Sequence, residues 1–409
     1  MFGVRMGALV AAVCSAPWLL QPVERVRPIT DPTQLRRLAF DDLTYAGAFR
    51  LPGTTQNGDS FTSGGGPLAF HAANGSLYAG ARSGRVAEIT VPTAVKSADV
   101  AALPTADFIQ GFADPAEGGM KEIAKGGVGL SGLLVYGGRL YGSGLTYYDA
   151  NNAQRLSHFS RPLSLAQHGA SPMRSVWDER RSGFVAGYLA LVPAEWQSRL
   201  GAPAITGQCC VPIISRTSFG PAAFAFDPAD VDVRTKVDAR PLVYYPSDHP
   251  TLGPWSGSSP VYGATTEVAG VALIAGTRTA LFIGRNGTGP YCYGTGTSDR
   301  SLDQKPDDKG VKHCYDPASS DKGQHAYPYR YQMWAYDLNE WAEVRAGRRD
   351  AWSVKPYAVW PFELPVPDYS VRLLGVAYDP ATRRLFISQR SADRDTYAWR
   401  GLIHVFHHP

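Results

Sequence analysis

Apolar positions along this chain gather into short runs separated by glycine, Asp-Pro or Asn-Gly. They seldom fall at the three-to-four spacing of an amphipathic helix. One phrase keeps returning: a strand, a tight turn, then a second strand that begins on an aromatic or leucine and continues in small residues. The first instance is 67–71 (PLAFH), the turn AANG and 76–80 (SLYAG), with a third strand at 85–92 (RVAEITVP). The second is 132–148 (GLLVYGGRLYGSGLTYY), turning at Gly137-Gly138. The third is 173–193 (MRSVWDERRSGFVAGYLALVP) and the fourth 265–285 (TTEVAGVALIAGTRTALFIGR). The last is 373–391 (LLGVAYDPATRRLFISQRS), followed by 401–408 (GLIHVFHH). Each predicts a two- or three-stranded antiparallel meander.

The openings of these phrases are 65, 41, 92 and 108 residues apart. The two long gaps leave room for an extra unit near 219–245 and for a loop insertion at 286–328. Meanders recurring at this interval predict radial repetition, an all-β propeller of five or six blades over 40–409. A β-sandwich is the structural alternative. LTYAGAFRLP (43–52) reads as a strand with no turn partner of its own, expected to complete the final blade and remove an open edge. The best helix signal is PAEWQSRL (193–200), with proline in its first turn. The phrases YDPATRRLF (378–386) and NGSLYAG (74–80) resemble the blade hairpins of secreted bacterial β-propeller proteins. That resemblance extends over most of 43–408. It implies a fold shared by hydrolases, lyases, oxidoreductases and binding scaffolds, so it transmits no single function.

Composition supports the same class. Of 409 residues, 44% are hydrophobic and 19% charged, enough apolar material for a large core and too little charge for wholesale disorder. Glycine (43), proline (31) and tyrosine (21) favour turns and strands over long helices. The formal charge is +4 and its basic residues are scattered, which excludes a nucleic-acid footprint. Arg5 precedes an apolar run from Met6 to Leu20. That pattern predicts a leader over 1–25, a secretory signal or an N-terminal anchor, with no other membrane span. The expected location is therefore secreted or periplasmic.

Cys14 lies in the leader; the remaining four cysteines would then sit in an oxidising compartment. Cys292 and Cys314, both inside the insertion, are expected to pair. A zinc site from Cys292, His313, Cys314 and His325 is the alternative, with poor geometry at the adjacent His313-Cys314. Cys209 and Cys210 could form a ring between neighbours or remain two buried thiols.

Chemistry in a propeller gathers where the innermost strands converge on the axis. The polar residues at the meander openings are His71, His168, Arg174, Glu267 and Arg372, the candidate catalytic set. It holds more His and Arg than acid, which leans towards lyase-type or anion-binding chemistry. Aromatic residues in and beside the insertion, Tyr291, Tyr293, Tyr315 and Trp334, are candidates for stacking on sugar rings. No cofactor is expected. Asp299, Asp303, Asp307 and Asp308 leave calcium as an alternative, although no EF-hand register is met. These features predict a protein acting on extracellular glycan as a glycoside hydrolase or polysaccharide lyase. A non-catalytic binding or scaffold propeller is the main alternative, and a cofactor- or calcium-dependent oxidoreductase or lactonase-like propeller a weaker one. The oligomeric state is not readable.

Overall fold

In the computed structural model, residues 1, 3, 31–62, 64–124, 127–210, 216–257, 259–366 and 371–408 are described. The leader expected over 1–25 lies almost wholly outside them. Strand β1 (Thr44–Arg50) comes first and waits for a partner from the far end of the chain. The first sheet is a four-stranded antiparallel meander of β2 (Gly65–His71), β3 (Ser76–Ala81), β4 (Val86–Ile89) and β5 (Phe108–Ala113). The second has three strands, β6 (Val128–Tyr136), β7 (Arg139–Thr146) and β8 (His158–Pro162). Its first turn is the expected Gly137-Gly138, both residues at positive φ (54° and 77°), where any side chain would be strained.

After the two-residue β9 (Ser175–Val176), the third sheet begins with β10 (Tyr188–Leu191), β11 (Ala204–Gly207) and β12 (Ala223–Phe226). Strand β13 (Lys236–Val237) pairs in parallel with β9, and β14 (Ala239–Val243) completes the sheet. The fourth sheet opens with β15 (Glu267–Ile274) and β16 (Thr279–Gly287). The chain then departs into a small separate sheet of β17 (Cys292–Thr297), β18 (His313–Tyr315) and β19 (Lys322–His325). It returns as β20 (Tyr329–Asp337) and β21 (Ala358–Phe362). The fifth sheet contains β22 (Leu373–Asp379), β23 (Arg384–Arg394) and β24 (Trp399–His407). Its fourth member is β1, which runs antiparallel to β24 from Thr44↔His407 to Arg50↔Leu402. LTYAGAFRLP thus joins the last meander, as its lack of a local partner suggested.

The first strands of these five sheets contact one another in a circuit: β2 with β6, β6 with β10, β10 with β15, β15 with β22, and β22 with β2. Apolar side chains from successive sheets meet in the gaps. Phe70 of β2 stacks on Phe386 of β23 at 5.8 Å, and Leu281, Ile283 and Met333 of the fourth sheet share a cluster with Leu385 and Ile387 of the fifth. Strands covered on both faces have no polar side to show, so β3 and β16 are buried along their whole length. Four first strands carry a register irregularity near a glycine: Gly65/Leu68, Leu130/Gly132, Val268/Gly270 and Leu373/Gly375. There the neighbouring backbones nearly touch. A Cβ at Gly132 would lie 2.2 Å from the Gly187 carbonyl oxygen, and one at Gly375 would lie 2.6 Å from that of Gly66.

Two expectations need correction. In 173–193 only Ser175–Val176 and Tyr188–Leu191 are strands; between them a 3-10 turn, Glu179–Phe184, replaces the expected hairpin. Asp178 caps that turn, its carboxylate accepting from the Arg180 N–H at 2.9 Å, and this local bond outcompetes strand pairing. The segment near 219–245 is not an extra unit either. Its strands β12 and β14 are the third and fourth members of the third sheet, and β13 pairs with β9. Helix α1 (Ala194–Leu200) forms where expected, and Trp196 anchors it by donating from Nε1 to the Thr277 carbonyl at 3.0 Å.

Candidate functional site

Alternation of strand direction puts the starts of the first strands and the ends of the second strands on one face of the molecule. A polar pocket of about 390 Å³ opens there. Tyr147 and Tyr148 reach it from the loop after β7, and Cys210 from the loop after β11. Glu267 begins β15, Arg285 lies near the end of β16, and Arg372 immediately precedes β22. The insertion adds Tyr293, Asp321 and Lys322.

Glu267 and Arg285 are direct cross-strand partners. The one-residue irregularity between Val268 and Gly270 sets that pairing. The Arg285 guanidinium donates to the Glu267 carboxylate at 2.8 Å, and Arg372 approaches the same oxygen at 3.3 Å. Burial pushes the Glu267 carboxyl up, but Arg285, Arg372 and Arg390 together outweigh it and hold the group below its ordinary range. Glu267 in turn pushes the Arg372 guanidinium up, against the opposing effect of burial. Burial, with Glu267 adding to it, raises the Tyr147 phenol above its ordinary value despite Arg372 and Arg285. The phenol therefore stays protonated at neutral pH. The lining holds three cations, Arg285, Lys322 and Arg372, against two carboxylates, Glu267 and Asp321. With Arg390 also acting on Glu267, positive charge is in excess.

The insertion is built to hold its share of the wall still. Cys292 and Cys314 form the expected disulfide, joining β17 to β18 with Cα atoms 5.8 Å apart, and this removes the zinc alternative. Buried Asp316 accepts from His325 Nδ1 at 2.7 Å and from the Tyr329 hydroxyl at 2.6 Å. Arg285 lies 4.3 Å above the Tyr329 ring, so the insertion, the ion pair and the fourth sheet are one packed unit.

Of the candidate catalytic residues, the structure brings together Glu267 and Arg372 and places the other three elsewhere. His71 ends β2, at the opposite end of a first strand from the pocket. Its Nδ1 bonds the buried Glu88 carboxylate at 2.8 Å, which also accepts from Asn74, Ser76 and Gln110. Four donors inside one sheet make that a structural lock. His168 is 95% exposed, with Glu117 as its nearest charge at 3.6 Å. Arg174 donates from Nε to the Val231 carbonyl at 3.1 Å and braces the third sheet. Of the aromatic candidates, Tyr293 lines the pocket and is exposed. Trp334 is fully buried, its Nε1 donating to the Val261 carbonyl at 2.7 Å, and it belongs to the core because it sits mid-strand in a sheet covered on both faces. Tyr291 packs beside Trp255, and Tyr315 lies under Arg300 at 4.0 Å.

Three of the four aspartates considered for calcium accept local backbone hydrogen bonds. Asp299 accepts from Ser301 N–H, Asp303 from Tyr315 N–H, and Asp307 from Lys309 and Val311 N–H. Among the described residues no group of three or more His, Cys, Asp or Glu side chains is arranged to hold a metal ion.

On the opposite face, the far ends of the first strands enclose a cavity of about 380 Å³ lined by Leu68, Leu133, Leu189, Leu273 and Val376. Glu195, the one titratable carboxylate there, accepts from the Gly276 N–H at 2.9 Å. A small gap of about 10 Å³ lies beside Gly132 and Gly375. The protein thus carries an apolar cup at the far ends of the first strands and a polar cup on the opposite face.

Sequence reasoning missed Arg285, Tyr147, Tyr148 and Asp321. Arg285 had a partial signal: folding 265–285 about its Gly276-Thr277 turn places it opposite Val268, and the one-residue irregularity between Val268 and Gly270 moves it to Glu267. The others sit on loops whose convergence only the fold creates.

No family model and no curated protein sequence matches the chain. Solved structures similar to it include a glycosyl hydrolase from Bacteroides ovatus, at 10% identity and a TM-score of 0.45, covering 92% of this chain and 97% of that one. A gluconolactonase from Xanthomonas campestris aligns at 12% identity and a TM-score of 0.33, over 90% of this chain and 99% of that one. A chain of the mitotic checkpoint complex aligns at 11% identity and a TM-score of 0.30, over 84% and 62%. At this level of likeness they carry neither a reaction nor a substrate to this chain.

Proposed function

We propose that the protein is a five-bladed β-propeller, secreted or periplasmic, that acts on extracellular acidic carbohydrate at the polar cup. The circuit of five first strands supports the blade number, and β1 closing the fifth sheet fits a ring without a free edge. Two disulfides fit an oxidising compartment. No helix among the described residues is long and apolar enough to cross a membrane.

The observation that carries the substrate class is the arginine-rich Glu267 cluster beside exposed tyrosine rings. Guanidinium forks suit the carboxylates of uronic acids, and phenol rings suit the apolar faces of sugars. Between the two reactions, the geometry favours elimination over hydrolysis. A glycosidase needs one carboxylic acid to protonate the leaving oxygen and a second carboxylate free to act. Glu267 is held ionised and its oxygen is engaged by Arg285 and Arg372. Elimination asks for cations that neutralise the substrate carboxylate while a base removes the adjacent proton, and Asp321, the second carboxylate of the lining, is the group available to accept it. The protonated Tyr147 phenol is suited to returning a proton to the departing oxygen. That same phenol is a poor base as it stands, which favours, as a second reading, a non-catalytic propeller that binds acidic glycan.

A panel of polyuronates and matched neutral polysaccharides tests this, with unsaturated-uronate absorbance, reducing ends and direct binding as readouts. Acidic glycans bind, and more weakly as salt rises. Arg372→Gln lowers their affinity about tenfold, equivalent to roughly 1.4 kcal/mol. Equal binding of neutral and acidic glycans, or indifference to Arg372→Gln, overturns the reading. Binding without either product signal selects the non-catalytic form.

A further inference from the structure

We propose that the Cys209–Cys210 disulfide is a ligand-contacting surface of the polar cup, a fixed apolar ledge for the C–H face of a sugar ring. This rests on the carbohydrate reading of the site. The two cysteines are bonded although adjacent in sequence. Such a bond closes an eight-membered ring around a single peptide, and neither side chain keeps a free rotamer. Cys209 is buried, while Cys210 is half-buried and lines the cup together with Tyr147, Tyr148 and Tyr293.

The bond cannot owe its place to stapling the fold. A disulfide stabilises chiefly by restricting the unfolded chain, and the effect grows with the loop it closes. Cys292–Cys314 spans 22 residues, but Cys209–Cys210 spans one and joins no distant elements. What it does alter is the surface at the end of β11. Two mobile, weakly polar thiols become one rigid, polarisable patch.

The surroundings keep that patch in position. Gln208 donates its N–H to the Phe184 carbonyl at 2.8 Å, and Cys209 bridges to Ser218. From the same loop, Arg216 donates to the carbonyls of Asp149 at 2.8 Å and Ala150 at 3.1 Å. It thereby ties the cysteine loop to the loop that bears Tyr147 and Tyr148. A ledge with no rotamers to freeze, held in the same wall as aromatic rings, contributes contact area at little ordering cost. The arginines would then take the carboxylate of an acidic sugar while ledge and tyrosines take its ring.

The test compares wild type with the double variant Cys209→Ser/Cys210→Ser, using a hexamer of galacturonic acid and a neutral hexose hexamer as probes in calorimetric titration. The expected result is an affinity for the acidic hexamer about tenfold weaker, with the melting temperature unchanged within a degree or two. Undiminished affinity in a folded variant overturns the ledge and leaves the carbohydrate reading standing. A wild type that binds neither hexamer, nor any glycan of the panel, overturns both. Should the variant fail to fold, wild type supplies a second measurement. The galacturonate hexamer should slow phosphine reduction of Cys209–Cys210, followed by alkylation and peptide mass, at least several-fold. An unchanged rate under saturating hexamer overturns the ledge.

Discussion

Replacing Glu267 by glutamine keeps the shape of the side chain and removes its charge. In the native fold that charge receives one charge-assisted hydrogen bond, from Arg285 at 2.8 Å, and one ion pair, from Arg372 at 3.3 Å. A bond to a charged acceptor is worth roughly 1 kcal/mol more than its neutral counterpart, so two such contacts set an upper figure of about 2 kcal/mol. The Glu267 side chain is 35% exposed, and solvent screening reduces this to about 1 kcal/mol. Melting entropy scales with chain length, so for a domain of this size that corresponds to about 1–2 °C in Tm. The pH dependence is more telling than the size. Because the folded carboxyl sits below its unfolded value of about 4.5, its contribution is complete above that pH and is lost as pH falls through the depressed folded value. The gap in Tm between wild type and Glu267→Gln should therefore be present at pH 7 and begin to close once the pH falls below about 4.5. Calorimetric scans across that range read it directly. A gap that stays constant with pH, or a variant as stable as wild type at pH 7, would refute the assignment of Glu267 as the ionised counter-charge of the arginines.

Three further outcomes are expected. His71→Ala removes one of four donors to the buried Glu88 carboxylate and should cost about 1–3 kcal/mol in denaturant melts, with glycan binding unchanged; a selective loss of binding would return His71 to the site. Gly132→Ala places a Cβ 2.2 Å from the backbone oxygen of Gly187, an atom that cannot swing away, and should cost at least about 2 kcal/mol, read as a lowered Tm. Cys292→Ser/Cys314→Ser should cost about 3 kcal/mol, concentrated in the insertion; limited proteolysis should then cut within 288–328 before it cuts elsewhere.

The meanders were legible because strand and turn signals in this chain are local. Gly137-Gly138 and the Asp-Pro of 379–380 mark their turns whatever surrounds them. Glu267 and Arg372 were legible for a related reason: each stands at the opening of a first strand, and a radial repeat brings those openings together. His71 shows the limit of that logic. It stands at the closing end of its strand, which a pattern of strands and turns does not distinguish from the opening until directions are assigned. His168 and Arg174 fell because the DERR segment, taken as part of a hairpin, is a capped 3-10 turn that shifts the start of the third sheet to Tyr188. Trp334 looked like a loop aromatic from its neighbourhood in sequence. Its burial is set by sheets that lie far from it along the chain.

The pairing of β1 with β24 also orders events in time. Thr44 and His407 are neighbours in the finished sheet, yet 363 positions separate them along the chain. Closing so large a loop has an entropic cost that β1 recovers only once β24 is in place, so the pairing of β1 with the fifth sheet should be the last to form. His404 records that dependence in one residue. Burial pushes its ring down to about 3, so it stays neutral, and it bonds Tyr45 on β1 at 3.0 Å and Gln389 on β23 at 2.7 Å. The first and last strands together act as a clasp. A polypeptide synthesised without its final strand would carry four assembled sheets and an unsealed seam, and so would be open to capture, threading or degradation until the last residues arrive.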